Sequence, residues 1–314
     1  MKSLVLGTRG SLLARTQSQW VADRLIETGQ VDKVELKVIS TRGDRIQNVA
    51  LAKIGGKGLF VKEIEQALLD GDIDFAVHSL KDVPAEQPEG LKLASFPERE
   101  DSRDVLIIRS DLSEFQLSND ATIGTGSLRR CAQLRSRFPE MELIPIRGNV
   151  DTRLQKLEGP HDPPLDAIVL AMSGLKRVGR DVGLNLSALD PSEMVPAVGQ
   201  GTLALECREN DDDTLRLLRL INHVPTQHAV TAERAFLIEV EGSCQIPLGA
   251  HAVVNGDSLE LHGVVVSLDG QERVEDHAVG ALSDAAAMGS QMAQKLLKLG
   301  GRAILDRCLK EATL

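Results

Sequence analysis

The chain has 314 residues, room for two or three compact domains of the usual ~100–200 residues. Apolar side chains make up 42% of it but aromatics only 2%, with no tyrosine, so its cores must be built from Leu, Ile, Val and Ala. A net charge of -10 argues against general binding to nucleic acid or to an acidic membrane, both of which call for a net basic face.

Residues 1–7 carry one lysine and a short apolar run, which reads as a first strand rather than as a secretory signal. No stretch approaches the length of a membrane-spanning helix. The four cysteines, Cys131, Cys207, Cys244 and Cys308, are far apart and form no Cys-x-x-Cys pair. A reduced cytosolic protein is expected, with no metal site and no disulfide framework.

Residues 3–6 read as a strand, 7–11 as a loop and Leu12–Glu27 as a helix. A second strand follows at 34–39. Leu59, Ile64, Leu68 and Leu69 then fall at helical spacing before Gly71, and 73–78 is a buried-type strand, with further strands at 91–96 and 105–108. A second series opens with a strand at 121–125 and a helix through Phe138, then strands at 142–146 and 167–171 with a helix at 150–157 between them. Such alternation predicts α/β layers with mostly parallel sheets.

Pro97-Glu-Arg-Glu-Asp101 and Pro196-Ala-Val-Gly-Gln-Gly201 read as crossings between lobes. The expected division is a first lobe over 1–97 with 202–219, a second over 98–201, and a tail domain over 220–314. The tail has a helix at 229–240, strands near 252–254, 259–266 and 273–279, and a helical run from Ser283, the order of a small α+β domain. No internal repeat is apparent.

In this acidic chain, basic residues recur beside glycine or at strand ends. Gly7-Thr-Arg9-Gly-Ser11, Thr41-Arg-Gly-Asp44, Lys53-Ile-Gly-Gly-Lys57-Gly58 and His78-Ser-Leu-Lys81-Asp82 do so in the first lobe. Gly126-Ser-Leu-Arg129-Arg130, Arg147-Gly-Asn with Arg153, and Lys176-Arg177 do so in the second. Ligands of α/β sheets bind at the carboxyl ends of strands, helix starts there favour anions, and arginine matches carboxylate or phosphate. Any one of these residues alone is more often solvated than functional; together they predict a cleft for a polyanion. The glycine loops lack the full spacing of a P-loop or a dinucleotide fingerprint, so NTP or NAD dependence is not expected.

Five segments carry a resemblance: Lys-Ile-Gly-Gly-Lys-Gly-Leu-Phe at 53–60, Val-His-Ser-Leu-Lys-Asp-Val-Pro at 77–84, Gly-Thr-Gly-Ser-Leu-Arg-Arg at 124–130, Arg-Gly-Asn-Val-Asp-Thr-Arg at 147–153 and Val-Gly-Gln-Gly at 198–201. In this order they resemble the signatures of the hydroxymethylbilane synthase (porphobilinogen deaminase) family. The resemblance implies two periplasmic-binding-protein-like α/β lobes plus a small C-terminal α+β domain. It implies a monomeric cytoplasmic transferase of heme and porphyrin biosynthesis, joining four porphobilinogen molecules into a linear tetrapyrrole with release of ammonia. It also implies a dipyrromethane cofactor held by a thioether, and a hand-off of product to a downstream enzyme.

Gly-Ser-Cys-Gln at 242–245 resembles the cofactor attachment loop, which makes Cys244 the anchor; Ser243 departs from the usual glycine. Cys131, Cys207 and Cys308, by contrast, read as small core residues in helix or strand. The resemblance makes Asp82 the catalytic carboxylate, steadying the cation left when ammonia departs. It assigns Ser79, Lys81, Asp82, Thr125, Ser127, Arg129 and Arg130 to the cofactor, and Arg9, Ser11, Lys57, Phe60, Arg147, Arg153 and Arg177 to the substrate. From the residues alone, Asp82 equally suits a helix N-cap, Phe60 a core position and His78 a structural one. The segment at 158–164 reads as surface variation. Two other classes stay open: a solute receptor built on the same two lobes, which leaves Cys244 without a role, and a DNA-binding regulator, for which no basic stripe is evident.

Overall fold

The computed structural model describes residues 2–41, 61–112, 115–240 and 246–312. The first series of elements is β1 (Ser3–Thr8), α1 (Leu12–Glu27), β2 (Lys33–Val38), α2 (Lys62–Leu69), β3 (Phe75–Ser79) and β4 (Leu91–Ser95). The second is β5 (Asp104–Ile108), β6 (Thr122–Gly124), α3 (Leu128–Arg137), β7 (Glu142–Ile144), α4 (Val150–Glu158), β8 (Ala167–Ala171), α5 (Met172–Arg177) and β9 (Asn185–Ala188). Then come β10 (Leu203–Arg208), α6 (Asp212–Leu218), α7 (Val224–Glu239), β11 (Leu248–Asn255), β12 (Ser258–Val266), β13 (Arg273–Ala281), α8 (Ala285–Leu296) and α9 (Arg302–Ala312).

The strands form two mixed five-stranded sheets and one antiparallel three-stranded sheet, ordered β2-β1-β3-β10-β4, β7-β6-β8-β5-β9 and β11-β12-β13. The first two sheets repeat one plan that no sequence similarity announces. In each, the reversed strand is the fourth, between the third and the fifth: β10 is antiparallel to β3 and β4, and β5 to β8 and β9. Those two reversed strands are the ones the chain makes on arriving from the other lobe. The expected parallel character therefore holds for the rest of each sheet, and the double crossing is the two-lobed layout expected of a periplasmic-binding-protein-like chain.

Strands covered on both faces read as unbroken apolar runs. β5 and β8 are buried at every position. With so few aromatics, Phe75 and Phe236 are the only rings among the largest fully buried side chains of the described residues, and aliphatic residues fill the rest. Local chemistry starts the helices: Ser11 accepts from Ala14 N, Ser127 from Arg130 N and Asn149 from Thr152 N. The tail helix starts at Val224 rather than at 229, because Pro225 suits the first turn and His223 caps it. The final helical run divides at Gly300, whose φ is 117°. Short α5, α6 and β9 carry too few residues to show a period.

Both crossings are gripped by one fully buried carboxylate of α7. Glu233 accepts from Arg99 Nη1 at 2.6 Å, from Gly199 N at 2.6 Å and from Ala252 N on β11 at 2.7 Å. Arg99 Nε also donates to the Gln200 carbonyl at 2.8 Å. One ion pair thus ties the outward crossing, the return crossing and the tail sheet. Gly201 has φ +88°, and a side chain there would run into the Glu100 carbonyl of the other crossing. Glu233→Gln leaves the Arg99 guanidinium uncompensated; breaking a buried pair costs about 3–5 kcal/mol, to be read as a lower urea midpoint at unchanged m-value.

Candidate active site

The carboxyl ends of β3 and β8 and the return crossing meet at a cleft between the lobes. Its walls include Gln17 of α1, Ser79, Lys81, Ser173, Arg177, Gly199, Gly201 and Thr202. On the first-lobe side β3 runs directly into a 3-10 turn, Leu80–Asp82. Leu80 is buried and anchors the turn, while Asp82 is exposed at its end. Asp82 closes this turn and does not cap a helix. Ser79 Oγ meets the Gln17 amide at 3.1–3.2 Å, and Lys81 Nζ donates to Gln200 Oε1 at 3.4 Å. Burial pushes the Lys81 ammonium down to about 8; Asp82 opposes this and Arg130 of the second lobe adds to it. Lys81 therefore senses charges of both lobes.

On the second-lobe side, Arg129 and Arg130 converge on the fully buried Asp104. Arg129 Nη1 reaches Asp104 Oδ2 at 2.7 Å and the Val195 carbonyl at 2.7 Å. Arg130 donates to Asp104 Oδ1 from Nε at 3.0 Å and Nη2 at 2.8 Å, and to the Val169 carbonyl at 2.9 Å. Gln200 of the return crossing donates to the same carboxylate at 2.9 Å. Burial alone would raise the Asp104 carboxyl, yet the two guanidiniums hold it well below the usual range.

Arg153 sits on α4, with Nε on the Gly148 carbonyl at 2.9 Å. Burial and then the neighbouring charges of Arg130 and Arg147 push it down to about 10, which brings these three arginines into one field. Arg177 donates from Nη2 to the Gly201 carbonyl at 2.6 Å, and burial takes it down to about 10. Three of the expected hydroxyls have local work: Ser11 and Ser127 cap α1 and α3, and Thr125 Oγ1 accepts from Ser127 N at 3.3 Å. Arg9 follows β1 and is half-buried. Lys57, Phe60 and Cys244 lie outside the described residues.

The three described cysteines differ in surroundings. Cys207 is buried in β10 with its thiol pushed up to about 12 by burial, and Cys308 is also buried. Cys131 is only half-buried, rather than a core residue as expected, because α3 turns it away from the layer where Arg130 and Leu134 pack; burial still raises its thiol. Sequence reasoning missed Gln17, Asp104 and Gln200. Asp104 left one signal, a lone carboxylate opening an apolar strand. Asp104→Asn strands two buried guanidiniums, at a cost of about 3–5 kcal/mol. Since the folded carboxyl is depressed, that penalty is full above the ordinary value of 3.8 and narrows as pH falls below it, which denaturant titrations at pH 7 and pH 3 would compare.

Two family models cover most of the chain: "Porphobilinogen deaminase, dipyromethane cofactor binding domain" over residues 4–216 and "Porphobilinogen deaminase, C-terminal domain" over 227–298. A porphobilinogen deaminase from Exiguobacterium sp. is 48% identical over 97% of this chain and 98% of its own length. The porphobilinogen deaminase of Bacillus subtilis is 46% identical over 99% and 98%. Among solved structures, an ABC transporter substrate-binding protein from Bradyrhizobium japonicum aligns with TM-score 0.41 and 9% identity over 75% of this chain and 81% of that one, a likeness too distant to add to the topology above. Matched along nearly its whole length in both comparisons of sequence, the chain belongs to the porphobilinogen deaminase family.

Proposed function

We propose that the cleft holds the growing pyrrole chain, with Asp82 as its catalytic carboxylate and Cys244 as its thioether anchor. As a family member the chain is a transferase, a hydroxymethylbilane synthase. It condenses four porphobilinogen molecules head to tail on an enzyme-bound dipyrromethane primer, releases ammonia at each addition and frees the linear tetrapyrrole by hydrolysis, in porphyrin and heme biosynthesis.

The observation that carries the site reading is the crowding of cations around the cleft. Lys81, whose ammonium burial and Arg130 push down, and Arg153, pressed by burial, Arg130 and Arg147, are held where their charge is costly. A group bearing acetate and propionate arms relieves that cost, so the residues present fit dipyrromethane. Once bound, dipyrromethane would supply the free pyrrole carbon to which the first substrate ring is joined.

The protein's own part is to bind, orient and steady charge. Arg130 has its fork on Asp104 and acts on the ligand through its field, as does Arg129 beside it. Arg147, Arg153 and Arg177 hold carboxylates further along the second lobe, with Arg9, Ser11, Lys57 and Phe60 on the substrate side. Ser79, Lys81, Thr125 and Ser127 add hydrogen bonds. Holding both partners turns a diffusional encounter into a reaction between neighbours. Asp82, exposed at the end of its turn, offers a carboxylate to the positive charge that develops on the substrate as ammonia leaves.

The same reading divides the chain into a first lobe of 1–97 with 202–219, a second of 98–201 and a tail domain of 220–314 carrying the anchor. It makes the protein a cytoplasmic monomer that passes its product to a downstream enzyme. Among the described residues no helix is long and apolar enough to cross a membrane, and the raised thiols of Cys131 and Cys207 support an anchor elsewhere.

Intact-protein mass spectrometry should find an adduct of dipyrromethane mass on the wild type and none on Cys244→Ala. A bare polypeptide mass in the active wild type would overturn the anchor. Asp82→Asn should keep its adduct and its melting temperature while kcat falls by about 100-fold or more; turnover within a few-fold of wild type would remove Asp82 from its role.

A further inference from the structure

Beneath the catalytic turn lies a group of ionisable side chains that the proposed mechanism does not use. His78, the residue before Ser79, points from β3 into the layer between the first sheet and α2. Its Nε2 lies 2.9 Å from Glu206 Oε2 on β10, and both side chains are almost completely buried. The other oxygen, Glu206 Oε1, is buried without a hydrogen-bond partner among the described residues. Glu65, on the inner face of α2, is buried as well and feels both Glu206 and His78. Two carboxylates and one imidazole thus share one buried layer.

A fourth group links this layer to the far end of the turn. Arg234 of α7 donates from Nη2 to the carbonyls of Pro84 at 3.0 Å and Ala85 at 2.9 Å, just past Asp82. Its Nη1 is buried without a partner among the described residues, and Glu206 is the charge that acts on it. Residues 79–83 are therefore suspended between two supports. His78 holds them through the chain at one end, and Arg234 holds them through two carbonyls at the other. Glu206 touches His78 and faces Arg234, so it stands at the junction of both supports.

We propose that Glu65, His78 and Glu206 are positioning residues for the turn at 79–82, acting as one buried unit that balances Arg234. The inference rests on the reading of that turn as catalytic, which Asp82→Asn tests separately. The groups facing the unit include Lys62 at the start of α2, Arg234 from α7 and the thiol of Cys207 on β10. β1 and β4 pack apolar side chains against α2, among them Val5 and Leu91, and Arg208 of β10 donates to the Leu68 carbonyl of α2 at 2.8 Å. With one carboxylate ionised, Arg234 offsets it. With both ionised, a second negative charge sits in the layer and competes with the Pro84 and Ala85 carbonyls for the guanidinium. Burial first, and then Glu206, push the Glu65 carboxyl up to about 7, so the change falls at neutral pH. The sign is fixed: the raised carboxyl stabilises the lobe when protonated, and that stability is lost as pH rises through about 7.

The test is the pH profile of Glu65→Gln in the cofactor-loaded protein. Wild-type kcat should decline severalfold, on the order of fivefold, between neutral and alkaline pH, and Glu65→Gln should abolish that limb while KM and adduct mass stay unchanged. Its melting temperature at pH 8 should equal or exceed that of the wild type. Lys81, with its ammonium at about 8, titrates on the cleft side and acts on KM, so its limb should survive in the variant. A wild-type kcat limb in Glu65→Gln, or a lower melting temperature at pH 8, would overturn the proposal. If Glu65→Gln does not accumulate, Glu206→Gln carries the test: removing the like charge should move the kcat limb to lower pH by about half a unit or more, and an unmoved limb would assign it to another group.

Discussion

One carboxylate holds the lobes to each other and to the tail. The chain passes between lobes twice, and both passages lie against α7, where Glu233 accepts from Arg99, Gly199 and Ala252. A buried charge is tolerated only when every lone pair is answered, and here the answers come from three separate parts of the chain. The relative placement of the lobes, and with it the shape of the cleft, follows from satisfying that carboxylate. The tail domain is thereby part of the cleft's frame as well as the bearer of the candidate anchor.

The cleft itself is built on unequal charge. Asp104 is matched by Arg129, Arg130 and Gln200 and is therefore structural. Further out, Lys81 and Arg153 are pressed below their usual values by burial and by their cationic neighbours. A site that keeps cations at such a cost is arranged for anions supplied from outside. A tetrapyrrole whose rings each carry two acids is a ligand of that kind.

Much of this was legible from residue order alone, for identifiable reasons. The bounds of β8 and α1 are legible because one is an uninterrupted apolar run and the other opens on a serine cap. The turn at 79–82 stands out because Ser79, Lys81 and Asp82 follow directly on a buried strand. What stayed hidden depends on partners remote in sequence. His78 reads as structural, but nothing near it reveals Glu206, 128 positions away. Glu65 looks like an ordinary helical glutamate until the sheet beneath α2 is in place. Arg129 and Arg130 read as ligand-facing, and only the fold shows a buried aspartate between them. Short α5 and β9 escaped because periodicity needs length.

The return of the chain to its first sheet also bears on how the protein is born. β10 lies inside the first sheet, between β3 and β4, so that sheet stays split until residue 208 has left the ribosome. The second sheet draws only on residues 104–188 and has all its strands sooner. During synthesis the N-terminal half must wait, its apolar strand faces unsealed, while the younger lobe is completed ahead of it. A nascent chain halted near residue 200 would thus expose the older lobe to chaperones and proteases, reversing the usual order in which domains mature from the N-terminus.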